Sequence, residues 1–325
     1  MNKSYFLASL PFFIGSLFGN GNTADPIKKT EETQFVFSAD FIYWNVRQTG
    51  LEYAALGIAT ATVPLTKGDV YTPNFEWSPG FKVGLGLDLP HDGWDLYANY
   101  TWIHSHAHNS TGPAAPYLLD MAIFLAFNGL TGDTVIQNTS DNWKFRFNNI
   151  DLELGKTIFL PKHFLVRPYF GLKGTWQDND VLATFNFSTI GTFKDHVRNE
   201  VWGIGLRGGL FSRWDFVKHW GIYGNFAAST LWLGNEASRN ATKSIPSAKI
   251  LDMNETTHSV LPVLEMGIGL SFDTGMANDR YHFTLSAGWE FQDWISYNEM
   301  IKLVQVGHKG DLVMQGLTVH TRFDF

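Results

Sequence analysis

Val260–Phe272 reads VLPVLEMGIGLSF and Tyr281–Phe291 reads YHFTLSAGWEF. In an extended chain the first stretch puts Leu264, Met266, Ile268, Leu270 and Phe272 on one face, with Glu265, Gly267, Gly269 and Ser271 on the other. The second sets Tyr281, Phe283, Leu285, Ala287, Trp289 and Phe291 against His282, Thr284, Ser286, Gly288 and Glu290. Phe81–Leu89 (FKVGLGLDL) and Phe164–Leu172 alternate in the same way. Two folds produce this pattern: a soluble sandwich, apolar inside, or a transmembrane barrel, apolar outside.

Three features favour the barrel. The strands run about 9–14 residues, which suits a tilted bilayer crossing better than a globular strand of about 5–6. Tyr43, Trp44, Trp77, Trp94, Trp102, Trp143, Trp176, Trp202, Trp220, Trp232, Trp289 and Trp294 gather near strand ends, as two interfacial girdles would. Short links (Leu89–Gly93, Pro161–His163, Asp215–His219, Thr274–Asp279) alternate with long ones near 56–76, 106–141, 177–199, 234–257 and 295–310. The pattern predicts an all-β, transmembrane, antiparallel up-and-down β-barrel with short periplasmic turns and long external loops. Its ten crossings are 35–55, 77–89, 94–105, 143–160, 164–176, 200–214, 220–233, 258–273, 280–294 and 311–325. Val181–Phe187 and Met300–Val306 would raise the count to twelve or more, and Asn45–Gly50 marks a bulge or a turn in the first crossing.

Composition agrees. The 325 residues carry 24 Lys+Arg and 31 Asp+Glu, a net charge of −7, which gives no support to a nucleic-acid partner. There is no Cys, so disulfides, Cys-based zinc sites and thiol catalysis are excluded. A mean hydropathy of −0.10 excludes a polytopic helical membrane protein. At the N-terminus, Lys3 precedes the apolar run Phe6–Phe18 and then a polar stretch, the pattern of an export signal. The expected organisation is a signal peptide over 1–24, cleaved after Gly21 or Ala24, a periplasmic segment over 25–34, and a barrel over 35–325.

The final strand, Asp311–Phe325 (DLVMQGLTVHTRFDF), ends in Phe and resembles the C-terminal signal that the bacterial barrel-assembly machinery reads. Phe37–Ala54, Trp77–Gly86 (WSPGFKVGLG), Trp94–Ser105 (WDLYANYTWIHS), Asn148–Lys156, Arg167–Trp176, Trp202–Gly209 and Leu285–Trp294 resemble the Legionella-type and chlamydia-like major outer membrane protein family of pore-forming barrels. The resemblance implies a porin-like channel in the bacterial outer membrane, passing small polar solutes or ions by passive diffusion. It also implies outer-membrane lipid and the assembly machinery as partners, and a homo-oligomer is compatible with it. The alternative is a structural or adhesive surface barrel with an occluded lumen. Lacking Cys, this chain cannot cross-link the envelope by disulfides as better-known members do.

A pore would be lined by charges on inward faces. The expected set is Asp40, Lys82, Asp88, Asp95, Arg146, Asp151, Glu153, Arg167, Lys173, Arg207, Glu265, Glu290 and Arg322. Both signs occur, so these groups either pair across a narrow lumen or form an ion-selective constriction. His104, His106 and His108 share one strand face where the strand leaves the membrane, which argues against a metal site. The apolar run Tyr117–Leu130 folds into the mouth as a constriction, contacts a neighbouring protomer, or forms a hairpin or helix within the loop. No spacing singles out a catalytic set, and neither HExxH nor a phosphate loop occurs, so no enzyme and no cofactor is expected.

Overall fold

A computed structural model describes residues 33–57, 68–90, 93–111, 118–119, 136–161, 163–187, 191–276, 281–300 and 310–325. The expected signal over 1–24 lies outside them, as do most of 25–34, of Tyr117–Leu130 and of Met300–Val306. Ten strands form one antiparallel ring: β1 (Gln34–Gln48), β2 (Trp77–Asp88), β3 (Trp94–Ser110), β4 (Ile136–Lys156), β5 (Phe164–Phe187), β6 (Gly191–Val217), β7 (Trp220–Ser244), β8 (Ser247–Met276), β9 (Tyr281–Trp294) and β10 (Leu312–Asp324). Each pairs with its chain neighbours, and β10 returns to β1. The seam is completed by reciprocal backbone hydrogen bonds between Phe35 and Phe325, both 2.9 Å.

The ladders give the barrel's dimensions. Following partners once round the ring runs Phe272, Leu285, Thr321, Ala39, Val83, Tyr100, Ile150, Gly174, Ile204, Trp232 and back to β8 at Val260. The return is offset by twelve residues, 272 to 260. With about 3.4 Å rise and about 4.8 Å strand spacing, that shear tilts the strands by about 40° on a backbone cylinder of about 10 Å radius. Side chains of ordinary length can fill such a cylinder.

Outward residues form an apolar band between two aromatic rows. Tyr43, Trp77, Trp102, Trp176, Trp202, Trp232 and Trp289 mark the external rim, with Tyr43 stacked on Trp77 at 5.6 Å and Trp77 against Trp289 at 5.8 Å. Phe35, Trp94, Phe164, Trp214, Trp220 and Phe325 mark the other rim, where Trp220 meets Phe272 at 5.3 Å. On β5, β6 and β7 the rows are twelve residues apart, which at this tilt spans about 30 Å, the thickness of a bilayer's hydrocarbon core. Three of the expected girdle residues belong elsewhere: Trp44, Trp143 and Trp294 point inward and are fully buried. Each sits one position out of phase with the outward row, a distinction that nearness to a strand end cannot make.

The stretches expected as long links near 177–199 and 234–257 are strand instead. β5 and β6 run as a ladder to Phe187 and Gly191, and β7 and β8 to Ser244 and Ser247, far above the external rim. Above the headgroups both faces can be polar, so the apolar alternation fades while the hairpin ladder continues to pair N–H with C=O. Val181–Phe187 accordingly lengthens β5 and adds no strand. Asn45–Gly50 is no interruption up to Gln48; the bend falls at Thr49 and Gly50, with Gly50 at φ 79°. Short strands Ala54–Gly57, Gly68–Tyr71 and Leu118–Leu119 form a small external sheet. Beside it, Tyr53 and Ala54 pack on Phe185, Phe193 and Ala241.

Candidate functional site

The inward faces carry two different fillings. Across the middle of the barrel, Asp95 (β3), Asp151 and Glu153 (β4), Arg167 and Lys173 (β5), Arg207 (β6) and Glu265 (β8) form one continuous ion-pair network. Arg207 grips Glu265 bidentately, Nε to Oε1 at 3.1 Å and Nη2 to Oε2 at 3.0 Å, and also donates to Glu153. Arg167 donates Nε to both Asp95 oxygens, at 3.0 and 2.9 Å, and Nη1 to Glu153 at 2.9 Å. Lys173 stands 2.8 Å from Asp151, its ladder partner, and 3.1 Å from Glu265. Period two places each residue on the buried face of its strand; the ladder sets Lys173 opposite Asp151, and the other pairs join residues that are not ladder partners. Gly155 makes room, because a Cβ there would lie 2.5 Å from Arg167 Nε. The ring of Tyr169 lies 5.2 Å from the Arg167 guanidinium and 5.1 Å from that of Arg207, and its hydroxyl donates to Asn225 at 3.0 Å.

Beside this network Lys82 pairs with Glu290 and lies 4.9 Å from the Trp44 ring, while His320 meets Asp40 at 2.6 Å. Towards the periplasmic mouth Arg322 reaches Asp324 at 2.7 Å and Asp88 at 3.4 Å, and Arg213 reaches Asp215 and Asp273, both at 2.7 Å. Twelve of the thirteen expected positions therefore face the interior, and most of them are in contact with one another. Arg146 does not. It lies on the exposed outward face of β4, paired with Asp178 at 3.0 Å above the external rim. An even-numbered residue cannot share a face with Asp151 and Glu153 in an unbroken strand, so period two itself excludes the expected placement.

Towards the external side the interior becomes apolar. Ile42, Trp44, Ile103, Trp143, Phe145, Phe147, Leu231, Val263, Trp294 and Leu312 form a buried cluster. Phe147 meets Trp294 edge-on at 5.6 Å, and Trp143 stacks on Phe145 at 5.6 Å while donating to Asn179 at 2.7 Å. A loop segment completes it. After β9 the chain turns into the mouth, burying Tyr297 against Phe145 at 6.3 Å and Met300 in the same cluster. Asn298 ties it down through its N–H to Gly310 O at 2.8 Å and its Nδ2 to Thr49 O at 3.1 Å.

Above the membrane, Asp195 and Arg239 form a fully buried pair, with Nε to Oδ2 at 3.0 Å. Burial pushes the Asp195 carboxyl above its ordinary value against the pull of Arg239. Sequence reasoning missed this pair because both residues fall in stretches read as loop. The alternation Phe193, Asp195, Val197, Asn199, Val201 was the available signal. Asp141 was missed too. It is buried inside the external part of β4, accepts from Asn109 N–H at 2.9 Å, and is pushed up to about 6, mainly by burial. A raised carboxylate stabilises the fold below its unfolded pKa, and that contribution is lost as pH rises towards 6. Asp141→Asn should therefore match the native protein near pH 4 and exceed it by about 2 kcal/mol at pH 7, read by urea unfolding at the two pH values.

His104, His106 and His108 face outward just above Trp102, where His106 pairs with Glu76 at 3.1 Å. Among the described residues no group of three His, Cys, Asp or Glu side chains is arranged to hold a metal ion.

With this geometry in hand, comparison with known proteins finds a family model, described as Legionella pneumophila major outer membrane protein precursor, matching residues 28–325. No curated protein sequence matches. Among solved structures, the outer membrane protease OmpT from Escherichia coli is 8% identical, with 90% of this chain and 96% of that chain covered and a TM-score of 0.44. Ail, the attachment invasion locus protein of Yersinia pestis, is 8% identical over 90% and 99%, with a TM-score of 0.24. A Pseudomonas aeruginosa FadL homologue is 7% identical over 90% of each, with a TM-score of 0.23.

Proposed function

Because the chain belongs to the Legionella major outer membrane protein family, and is thus an outer-membrane β-barrel protein, we propose that it works at the cell surface through its external wall, with its lumen closed to solutes. The observation that carries this reading is the filled cross-section at Arg207. There four carboxylates and three cations on five strands satisfy one another, and Arg207, Lys173 and Glu265 are buried. A conducting lumen needs hydrated charges. These ones are held by each other, and an aromatic layer lies between them and the external mouth. The reading is not enzymatic: the charges serve as packing, and the tall β5–β8 wall presents the accessible surface.

One observation favours a second reading, a channel for small polar solutes or ions that opens when Ile295–Met300 leaves the mouth. The plug there is loop instead of strand, and Asn199, Asn235 and Gln177 hold buried polar atoms without a hydrogen-bond partner. Planar-bilayer recording separates the two. The closed reading expects no steady single-channel current over many insertions of the native chain; a steady current would replace it with the channel.

A further inference from the structure

Every strand of the membrane band is paired on both sides, but above the external rim β8 has a side on which no described strand pairs. β8 pairs with β7 from Ser247 to Phe272, whereas β9 begins to pair with β8 only at Val263. The last bond on that side runs from Ile295 N–H to Pro262 O at 3.1 Å. Among the described residues no strand pairs with this side of β8 above Val263. Backbone polar groups alternate sides in a strand, so the direction of Pro262 sets the rest. The N–H and C=O groups of Val260, His258, Thr256 and Asn254 point to the open side, while those of the odd-numbered residues bond β7.

Exposed edges are usually blunted by Lys, Pro or a bulge, since they otherwise recruit another chain. Here Lys249 and a register shift opposite Ala241 and Thr242 guard the tip, and Pro262 guards the foot. Between them the edge has neither Lys, Pro nor bulge. Its surroundings are acidic: Glu255 is exposed on the strand, and Asp293 and Asp311 stand together at its foot, none of the three in an ion pair with a described residue. A second copy does not fit. Two barrels in one membrane are related by an axis along its normal, so their β8 strands, each tilted by about 40°, would cross instead of aligning.

We propose that the edge of β8 from Asn254 to Val260 is a docking site for an extended segment of another polypeptide that carries basic side chains, added to the wall as an extra strand. Main-chain hydrogen bonds would supply the affinity, and the three carboxylates would select for positive charge. The inference rests on the external wall being the working surface. It is read by exchange and peptide binding, whereas closure of the lumen is read by current, so either can fail alone.

The test uses the full chain folded in detergent micelles. Residue-resolved hydrogen exchange should find the amides of Asn254, Thr256, His258 and Val260 exchanging about a hundredfold faster than those of Glu255, Thr257, Ser259 and Leu261. Slow exchange at all eight means that the edge is already covered, by the chain's own residues 301–309 or by a second copy, and overturns the proposal. A decapeptide of alternating Lys and Thr should then protect the four fast amides and bind about tenfold tighter than one of alternating Glu and Thr. Thr256→Pro removes an N–H on the open side and spares the β7 ladder. It should weaken the basic peptide about tenfold while the barrel's urea midpoint stays the same. Equal binding of the two peptides, or unchanged binding to Thr256→Pro, would overturn the proposal.

Discussion

Arg207→Met is expected to destabilise the barrel by about 3–5 kcal/mol, the largest effect of any single substitution considered. The guanidinium touches Glu265 through two hydrogen bonds and Glu153 through a third, and lies 3.7 Å from Asp151. Methionine fills much of the same volume but leaves these carboxylates short of positive charge in a space without bulk water. Among the described residues Lys173 and Arg167 remain as the cations paired with them. The loss comes from stranding the partners, not from removing a strong bond, because a buried pair gains little over a well-packed apolar one. That distinction is measurable. The double variant Arg207→Met with Glu265→Gln should recover part of the loss, giving a coupling well above the error of urea titrations in lipid vesicles. Additive effects of the two substitutions would show that Arg207 and Glu265 do not act as a unit.

One residue earlier the rule reverses. Leu206 is 72% exposed, the most exposed large apolar side chain among the described residues, and in a soluble protein its replacement by Arg would be close to neutral. Here it lies four residues inside the external row at Trp202, within the band that faces lipid. Leu206→Arg is expected to cost about 2–4 kcal/mol, as arginine facing lipid deep in a bilayer does. The same change at Glu200, which is exposed above the rim, should shift the urea midpoint only slightly. If Leu206→Arg and Glu200→Arg behaved alike in vesicles, the band between the aromatic rows would not be the membrane-facing surface. Neighbouring positions 206 and 207 thus require opposite chemistry, which only a wall with lipid on one side and protein on the other imposes.

Much of this was legible from residue order alone. Alternation in Val260–Phe272 and Tyr281–Phe291 is a local property: side chains of a strand alternate whatever surrounds it, so strand, face and the sequence of crossings follow from position. The bilayer adds a length and an aromatic preference, which is why ten crossings and most of the girdle could be read before any fold was in view. The errors are all errors of phase or of what hides it. Trp44, Trp143 and the wall at 177–199 and 234–257 are misread from composition, near an end or in a polar stretch, and Arg146 from a phase one residue off; in each, phase decides the matter. Two questions could not be settled locally. That Glu265 meets both Arg207 and Lys173 depends on a shear of twelve residues around the ring, and no strand carries that number in its own sequence. Whether the lumen is empty depends on a cylinder radius set jointly by ten strands and their tilt, and on Tyr297 returning from a loop to sit beside Phe145. Sequence determined which side chains point inward. Closure of the ring determined that they touch, because contact across a barrel is a distance between strands and only the finished circumference defines it.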